Sequence, residues 1–203
     1  EEDEELRANA ARVLGDLKHA DVAYALEEKL EDDSLRVRHL SALALGEMRQ
    51  ASSVEPLVKL IDDTGDADPV LRHSAVMGLL GCATDEDLAR LADHESTYVR
   101  MAVLLCYRRK GSVEIARFLN AEDPLLFTEA CRAVYDVPIE AALPSLAAQI
   151  ERADVPNAAC ARRIMAANHR LGGARRATEL ARLASEETHQ EKFRVEALEL
   201  LVV

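Results

Sequence analysis

A two-residue pattern, an apolar side chain followed by arginine, returns about every 31 residues and constrains the fold of this chain more than any other feature. The copies that open successive helical segments are Leu6-Arg7, Val37-Arg38, Leu71-Arg72, Val99-Arg100 and Phe193-Arg194. Successive arginines are 31, 34, 28 and 94 residues apart, so the last interval is close to three periods. Two degenerate copies fit within it, beginning at Pro124-Leu125-Leu126 and at Pro156-Asn157-Ala158. Such a period predicts a structure built from stacked units.

The residues that follow each arginine have the spacing of one helix face. After Arg7, Ala10, Ala11 and Leu14 stand at positions +3, +4 and +7, and an equivalent set follows Arg38. Positions with this spacing lie on the same side of an α-helix. Small residues on that side predict that a neighbouring helix approaches closely.

A second amphipathic segment follows each first helix. The predicted second helices span Asp21–Asp32, Ser53–Asp62, Asp85–Asp93, Val113–Leu119, Ala142–Arg152 and Arg175–Ser185. A helix pair of this length cannot bury its apolar face alone, so stacking must create the core. We therefore predict an all-α, right-handed α-α superhelix of about six helix pairs plus one extra helix. It would form a single domain over residues 1–203.

Helix boundaries are also indicated in the sequence. Asp68-Pro69 and Asp123-Pro124 predict helix starts, because Asp caps a helix and Pro tolerates its first position. Further N-caps are predicted at Ser34, Ser53 and Thr84. Gly15 and Gly46, eight residues after their arginines, have the position expected of helix stops.

The recurring arginine itself is predicted to be structural. Its aliphatic stem can pack between repeats while its guanidinium meets an acidic neighbour or a carbonyl at a helix end. Acidic side chains available for this role are Asp32, Asp33, Asp68 and Glu95.

Composition excludes several classes of function. The 25 basic residues are outnumbered by 37 acidic ones, and the net charge of −12 disfavours nucleic-acid binding, which needs a basic surface. No apolar run reaches the roughly 18 residues of a membrane span. Cys82, Cys106, Cys131 and Cys160 lie too far apart in sequence for a zinc or haem-attachment motif. We interpret them as small core residues.

The two-helix period with an apolar–Arg start resembles short HEAT-like repeats, including those of phycobilisome-lyase-type proteins. Residues 37–147 also contain strings such as VRHLSALALGEM and DADPVLRHSAVMGLLG. These strings are similar to the HEAT segment of planctomycete-type membrane-bound dehydrogenase or haem-binding proteins. That resemblance implies a longer parent chain, with a propeller-like domain upstream and a CxxCH cytochrome domain downstream. It implies an extracytoplasmic (periplasmic) location, which the composition leaves open.

The histidines allow a comparison with one HEAT-repeat enzyme family. Deoxyhypusine hydroxylases place His-Glu pairs after the repeat arginine to hold two irons. Here His39 and His73 occupy that place, but Leu40 and Ser74 follow them. The only His-Glu pair is His94-Glu95, outside the register. The sequence therefore predicts no catalytic residue, no cofactor and no metal site in this chain.

These observations favour a non-catalytic scaffold, and not an enzyme, that contacts protein or neighbouring domains of a longer redox protein. The alternative is a metal-dependent or lyase-type HEAT-repeat enzyme module that uses His39, His73 and nearby acids. For the scaffold, a concave partner-binding face is predicted from exposed positions of the second helices: Glu27, Lys59, Arg90, Arg117, Gln149 and Arg182. The terminal EALELLVV segment predicts an exposed apolar patch and self-association.

Overall fold

The structure is a computed structural model that describes residues 3–152, 154–187 and 190–202. The first helices of six pairs are α1 (Glu4–Leu17), α3 (Leu35–Met48), α5 (Pro69–Cys82), α7 (Thr97–Lys110), α8 (Pro124–Asp136) and α10 (Ala158–Leu171). Their second helices are α2 (Ala23–Glu28), α4 (Val54–Thr64), α6 (Asp85–Leu91), a 3-10 helix (Val113–Asn120), α9 (Leu143–Ala148) and α11 (Gly173–Ser185). Short 3-10 turns extend α2 and α9 at both ends, and α12 (Glu191–Val202) follows the last pair.

The described residues form six helix pairs plus one extra helix and contain no β-strand, which confirms the predicted all-α solenoid. They divide into two compact units, one ending at Cys106 and the other beginning at Tyr107. The single domain expected over residues 1–203 stays a prediction. None of the helices in the described part of the chain is both long and apolar enough to cross a membrane.

In the first unit, the first helices pack side by side through small residues, as the pattern predicts. α3 contacts both α1 and α5. A Cβ atom added to Gly81 would lie 2.1 Å from the backbone oxygen of Gly46, and one added to Gly15 would lie 2.7 Å from the Cβ atom of Ala44. These glycines are therefore required by helix contact and do not end their helices. The prediction of Gly15 and Gly46 as helix stops is wrong, since α1 and α3 continue to Leu17 and Met48, and the left-handed C-cap residues are Lys18 and Arg49.

The repeated arginines make the contacts that the sequence predicts. Arg7 binds the Asp32 carboxylate, and Arg38 donates from Nε to the Asp32 backbone oxygen at 2.6 Å. Arg100 donates to the carbonyl oxygens of His94 and Glu95 at 2.7 and 2.9 Å. Arg72 binds the carboxylate of Asp66, and Arg194 donates to the carbonyl oxygen of Ala184. The repeat arginine thus ties the start of a first helix to a neighbouring turn.

We expect Asp32→Asn to lower the melting temperature by several degrees near neutral pH. Arg7 donates two hydrogen bonds to Asp32, at 2.9 and 2.8 Å, which lowers the pKa of that carboxyl to about 2. In the unfolded chain the carboxyl of Asp32 has an ordinary pKa of about 4, so the stabilisation by the pairing with Arg7 is complete above that pH. It is lost as the pH falls through the folded pKa.

Thermal melts of both proteins between neutral and strongly acidic pH test this expectation. The difference in melting temperature should shrink as the pH falls, whereas Asp33→Asn, a neighbouring exposed carboxylate, should show little difference at any pH. A constant difference between wild type and Asp32→Asn would contradict the pairing with Arg7.

Several predicted caps are confirmed. The Asp68 side chain accepts from the backbone N–H of Leu71 at 2.7 Å, and Asp123 caps α8 in the same way. Thr84 and Asp87 form a reciprocal capping box on α6. Ser34 and Ser53 occupy N-cap positions without capping hydrogen bonds from their side chains.

The core of the second unit is built around α8 and α10, which pack against each other and against α9. Phe127 is completely buried there, and the Arg152 guanidinium lies 4.3 Å from the centre of its ring. All four cysteines of the chain are buried and none is in a disulfide, which confirms their interpretation as core residues.

The last helix exposes apolar surface, as its sequence predicts. Val195, Leu198 and Val202 of α12 are 46%, 53% and 87% exposed. Self-association through this helix stays a prediction.

Candidate functional site

The first unit has a groove of about 950 Å³ beside the second helices of its first two pairs. It is bordered by α2 with its following 3-10 turn, by α4, and by the starts of α3 and α5. Its apolar floor includes the buried side chains of Leu30, Leu60 and Leu71. Amphipathic second helices create this arrangement because each turns one apolar face to the first helices and leaves charged residues at the rim.

We call this feature the acidic groove. Its rim carries six carboxylates and two cations. The carboxylates are Glu27, Glu28, Glu31, Glu55, Asp63 and Asp68, and the cations are Arg38 and Lys59. The acidic groove is therefore suited to a positively charged ligand whose apolar part can contact the leucines below.

Some of these carboxylates are held in place by neighbours. Glu27 accepts hydrogen bonds from the hydroxyls of Ser52 and Ser53 at 3.1 and 2.6 Å. Lys59 pairs with Glu31 and lies 3.4 Å from Asp63. Its hydrogen bond with Glu31 lowers the pKa of that carboxyl, so Glu31 stays ionised at neutral pH.

The structure brings only part of the predicted concave face together. Glu27 and Lys59 both line the acidic groove, and Arg90 reaches its edge through an ion pair of 2.7 Å with Glu55. In the second unit, Gln149 lines a smaller cavity of about 260 Å³, which Arg117 and Arg182 do not line. Arg182 pairs with Glu179 and Glu186 on its own helix. Binding of a partner by these six residues stays a prediction.

Sequence reasoning included only Glu27 and Lys59 of this groove, as exposed positions of the second helices, and missed its other charged residues. A signal was nevertheless present. Glu27 and Glu55 stand 28 residues apart, as do Glu31 and Lys59, which is close to one repeat period. Charged residues at equivalent positions of consecutive second helices lie side by side in a stacked solenoid.

His39 and His73 are the candidate metal ligands of the alternative enzyme interpretation. Nδ1 of His39 is buried without a hydrogen-bond partner, as would suit a ligand atom. Burial is the main cause that lowers the pKa of His39, against a hydrogen bond with the Val70 backbone that raises it. However, no three or more His, Cys, Asp or Glu side chains within the described ranges converge so that they could hold a metal ion. The described residues therefore do not fit a di-iron centre.

Comparison with known proteins agrees with the fold. A family model described as HEAT repeats matches residues 1–79. Together with the six helix pairs, this match defines the class of the protein as a HEAT-type all-α solenoid.

One particular relative is an enzyme. A deoxyhypusine hydroxylase of Schizosaccharomyces pombe (strain 972 / ATCC 24843) is 30% identical over 111 residues, which are 51% of this chain and 35% of that protein. The chain thus spans about a third of the length of the curated relative it matches. The solved structure of human deoxyhypusine hydroxylase in complex with glycerol aligns with a TM-score of 0.43 and 19% identity, over 100% of this chain and 81% of the other.

The relationship to a hydroxylase contradicts the prediction of a non-catalytic scaffold within a larger dehydrogenase, and with it the prediction that the chain is not an enzyme. Both predictions depended on the lack of a local catalytic motif. In a solenoid, side chains that converge come from repeats about 31 residues apart. A search for short motifs cannot detect a site assembled in that way.

Proposed function

We propose that this chain is a module of a HEAT-repeat enzyme related to deoxyhypusine hydroxylase, and that its acidic groove binds an amine-bearing side chain of the substrate. The observation that carries the proposal is the 30% identity over 111 residues with that enzyme. Activity on deoxyhypusine is a property of the relative. Its extension to this chain is part of the proposal.

The charge of the acidic groove supports this assignment. Deoxyhypusine is a lysine derivative with an additional amine, so its side chain combines positive charge with a long hydrocarbon stem. Six carboxylates at the rim and three leucines at the floor match both parts of such a side chain. An amine near several carboxylates is favoured by electrostatic attraction, and its stem gains by contact with apolar surface.

The proposal assigns binding, and no chemical step, to the described residues. His39-Leu40 and His73-Ser74 lack the carboxylate that the hydroxylase pattern places after each histidine. We accordingly assign no metal ligand and no cofactor to this chain. The protein partner that we propose is the substrate that carries the amine.

We expect a labelled peptide carrying deoxyhypusine to bind the chain about 10-fold more tightly than the same peptide carrying norleucine, in fluorescence anisotropy at low salt. Glu28→Gln combined with Asp63→Asn should weaken binding of the first peptide by roughly 5- to 10-fold, because each exposed ion pair contributes up to about 1 kcal/mol. Added salt should reduce the difference between the two peptides.

A matched control removes the same charge outside the acidic groove. Glu47→Gln combined with Asp62→Asn changes two exposed acids of the same unit, and Asp62 is adjacent to Asp63 on α4. Equal losses of affinity in the two double variants would show a general charge effect and would refute binding of the peptide in the acidic groove. Equal affinity for the two peptides would refute recognition of the amine.

The narrower resemblance of residues 37–147 to the HEAT segment of planctomycete-type dehydrogenase or haem-binding proteins stays a prediction. So do the likeness to phycobilisome-lyase-type repeats and the extracytoplasmic location. The expected lack of nucleic-acid binding and of membrane insertion also stays a prediction. The proposal uses none of them.

A further inference from the structure

Two of the four cysteines lie together in the second unit. Cys131 belongs to α8 and Cys160 to α10, two helices that pack against each other, and both residues are completely buried. Sγ of Cys160 lies 3.6 Å from the hydroxyl of Thr128, which stands one helical turn before Cys131 on α8, so both thiols lie at the same contact between the two helices. They stand 29 residues apart in the sequence, so only the packing of consecutive repeats brings them close together.

Polar groups surround this thiol pair. Sγ of Cys160 lies 3.6 Å from the Thr128 hydroxyl, which in turn accepts a hydrogen bond of 2.9 Å from the side chain of Asn157. The positive charge of Arg163 acts on both sulfurs. The other two cysteines differ, because Cys82 and Cys106 face the backbone carbonyl oxygens of Leu45 and Val76 in the first unit.

We propose that Cys131 and Cys160 form a redox modification site, in which a hydroperoxide converts the thiol pair into a reversible intramolecular disulfide that links α8 to α10. The placement of both buried thiols where α10 packs on α8, with Cys160 beside Thr128, carries this assignment, since a disulfide requires two side chains that already approach each other. Complete burial selects for a small oxidant that can enter during local opening of the unit.

The environment favours Cys160 as the attacking sulfur. The interaction with the Cys131 thiol is the main cause that lowers the pKa of the Cys160 thiol, with help from Thr128, Asn157 and Arg163. The same interaction, together with burial, raises the pKa of Cys131. A thiolate is the nucleophilic form of cysteine, so Cys160 reacts first.

The reaction has two balanced steps. In the first, the Cys160 thiolate attacks one peroxide oxygen, the O–O bond breaks, and the leaving alkoxide or hydroxide takes up a proton, so that Cys160 becomes a sulfenic acid. In the second, Cys131 loses its proton and attacks the Cys160 sulfur. The S–S bond forms, the S–O bond breaks, and hydroxide leaves as water. Two thiols thereby supply the two electrons that reduce one hydroperoxide.

The disulfide should stabilise the second unit, because it closes a loop in the unfolded chain. We expect the oxidised protein to melt about 5 °C higher than the reduced protein. A reductant should reverse the increase.

The direct test uses the wild-type 203-residue chain. Equimolar hydrogen peroxide at neutral pH, followed by alkylation under denaturing conditions and peptide mass mapping, should yield a peptide pair linked through Cys131 and Cys160. Cys82 and Cys106 should be recovered in alkylated form. Recovery of Cys131 and Cys160 as alkylated thiols, or oxidation of all four cysteines to the same extent, would overturn the proposal.

Single substitutions distinguish the roles of the two sulfurs in the reaction. Cys131→Ser should stop at a sulfenic acid on Cys160 that a dimedone probe labels, while Cys160→Ser should give neither disulfide nor label. Cys106→Ser is the matched control for loss of a buried thiol and should leave the 131–160 disulfide unchanged. Labelling of Cys131 in Cys160→Ser would refute the assignment of Cys160 as the attacking sulfur. If a variant fails to fold, the mapping of wild type still decides.

Discussion

Gly81→Ala should destabilise the first unit by about 3 kcal/mol, although replacing glycine by alanine inside a helix normally stabilises a protein. An added Cβ atom at position 81 would lie 2.1 Å from the backbone oxygen of Gly46 and 2.7 Å from its Cα atom. Both atoms belong to the backbone of α3, so no side-chain rotation can relieve the overlap. The helices α3 and α5 would have to separate, and the neighbouring core contacts would be lost.

Chemical denaturation followed by circular dichroism measures this effect, and the melting temperature should fall by roughly 10 °C or more. Gly46→Ala is the matched comparison on the same helix interface. Its Cβ atom would come no closer than 2.9 Å to the backbone of α5, so a smaller loss is expected. A neutral or stabilising Gly81→Ala would show that α3 and α5 do not approach as closely as the structure indicates.

Phe127→Ala should cost about 3 to 5 kcal/mol of stability in the second unit, the range typical of a large aromatic removed from a core. The ring is completely buried on α8, and the Arg152 guanidinium lies over its face. The substitution leaves a cavity and removes the cation–π contact, which contributes on the order of 1 kcal/mol. Both effects lower the free energy of unfolding.

Two further variants calibrate this result in the same denaturation experiment. Phe127→Leu retains most of the apolar volume and should cost clearly less than Phe127→Ala. Phe193→Ala removes a partly exposed ring of α12 and should be the mildest of the three. Similar losses for Phe127→Ala and Phe193→Ala would contradict the placement of Phe127 in the core.

The repeat arginines show how much of this fold can be predicted from local pattern. The sequence indicates a helix start beside each of them and a structural role for the guanidinium, and Arg7, Arg38 and Arg100 confirm both. Such predictions succeed because helix periodicity and capping depend on residues within one or two turns. Gly15 and Gly46 were misinterpreted for the same reason, since a glycine needed for contact with another helix resembles a helix stop when only its own segment is considered.

The acidic groove and the thiol pair are formed by residues that are far apart in sequence and close in space. The acidic groove combines Glu27 and Glu31 with Glu55 and Asp63 from the next repeat, and the thiol pair joins Cys131 to Cys160. No local motif marks either of them. Deoxyhypusine hydroxylases are considered from the sequence and set aside, because the histidines at the expected register lack the following carboxylate, yet a protein of that name is 30% identical over 111 residues.

The sequence by itself thus determined the helix pairs, their period and the apolar faces that must be buried. Those properties arise from backbone geometry and from the removal of apolar side chains from water, which act on each repeat separately. Only the tertiary structure decided which charged and nucleophilic side chains meet. Their meeting depends on how one repeat packs on the next, and close contacts such as the one between Gly81 and Gly46 set the separation of neighbouring helices.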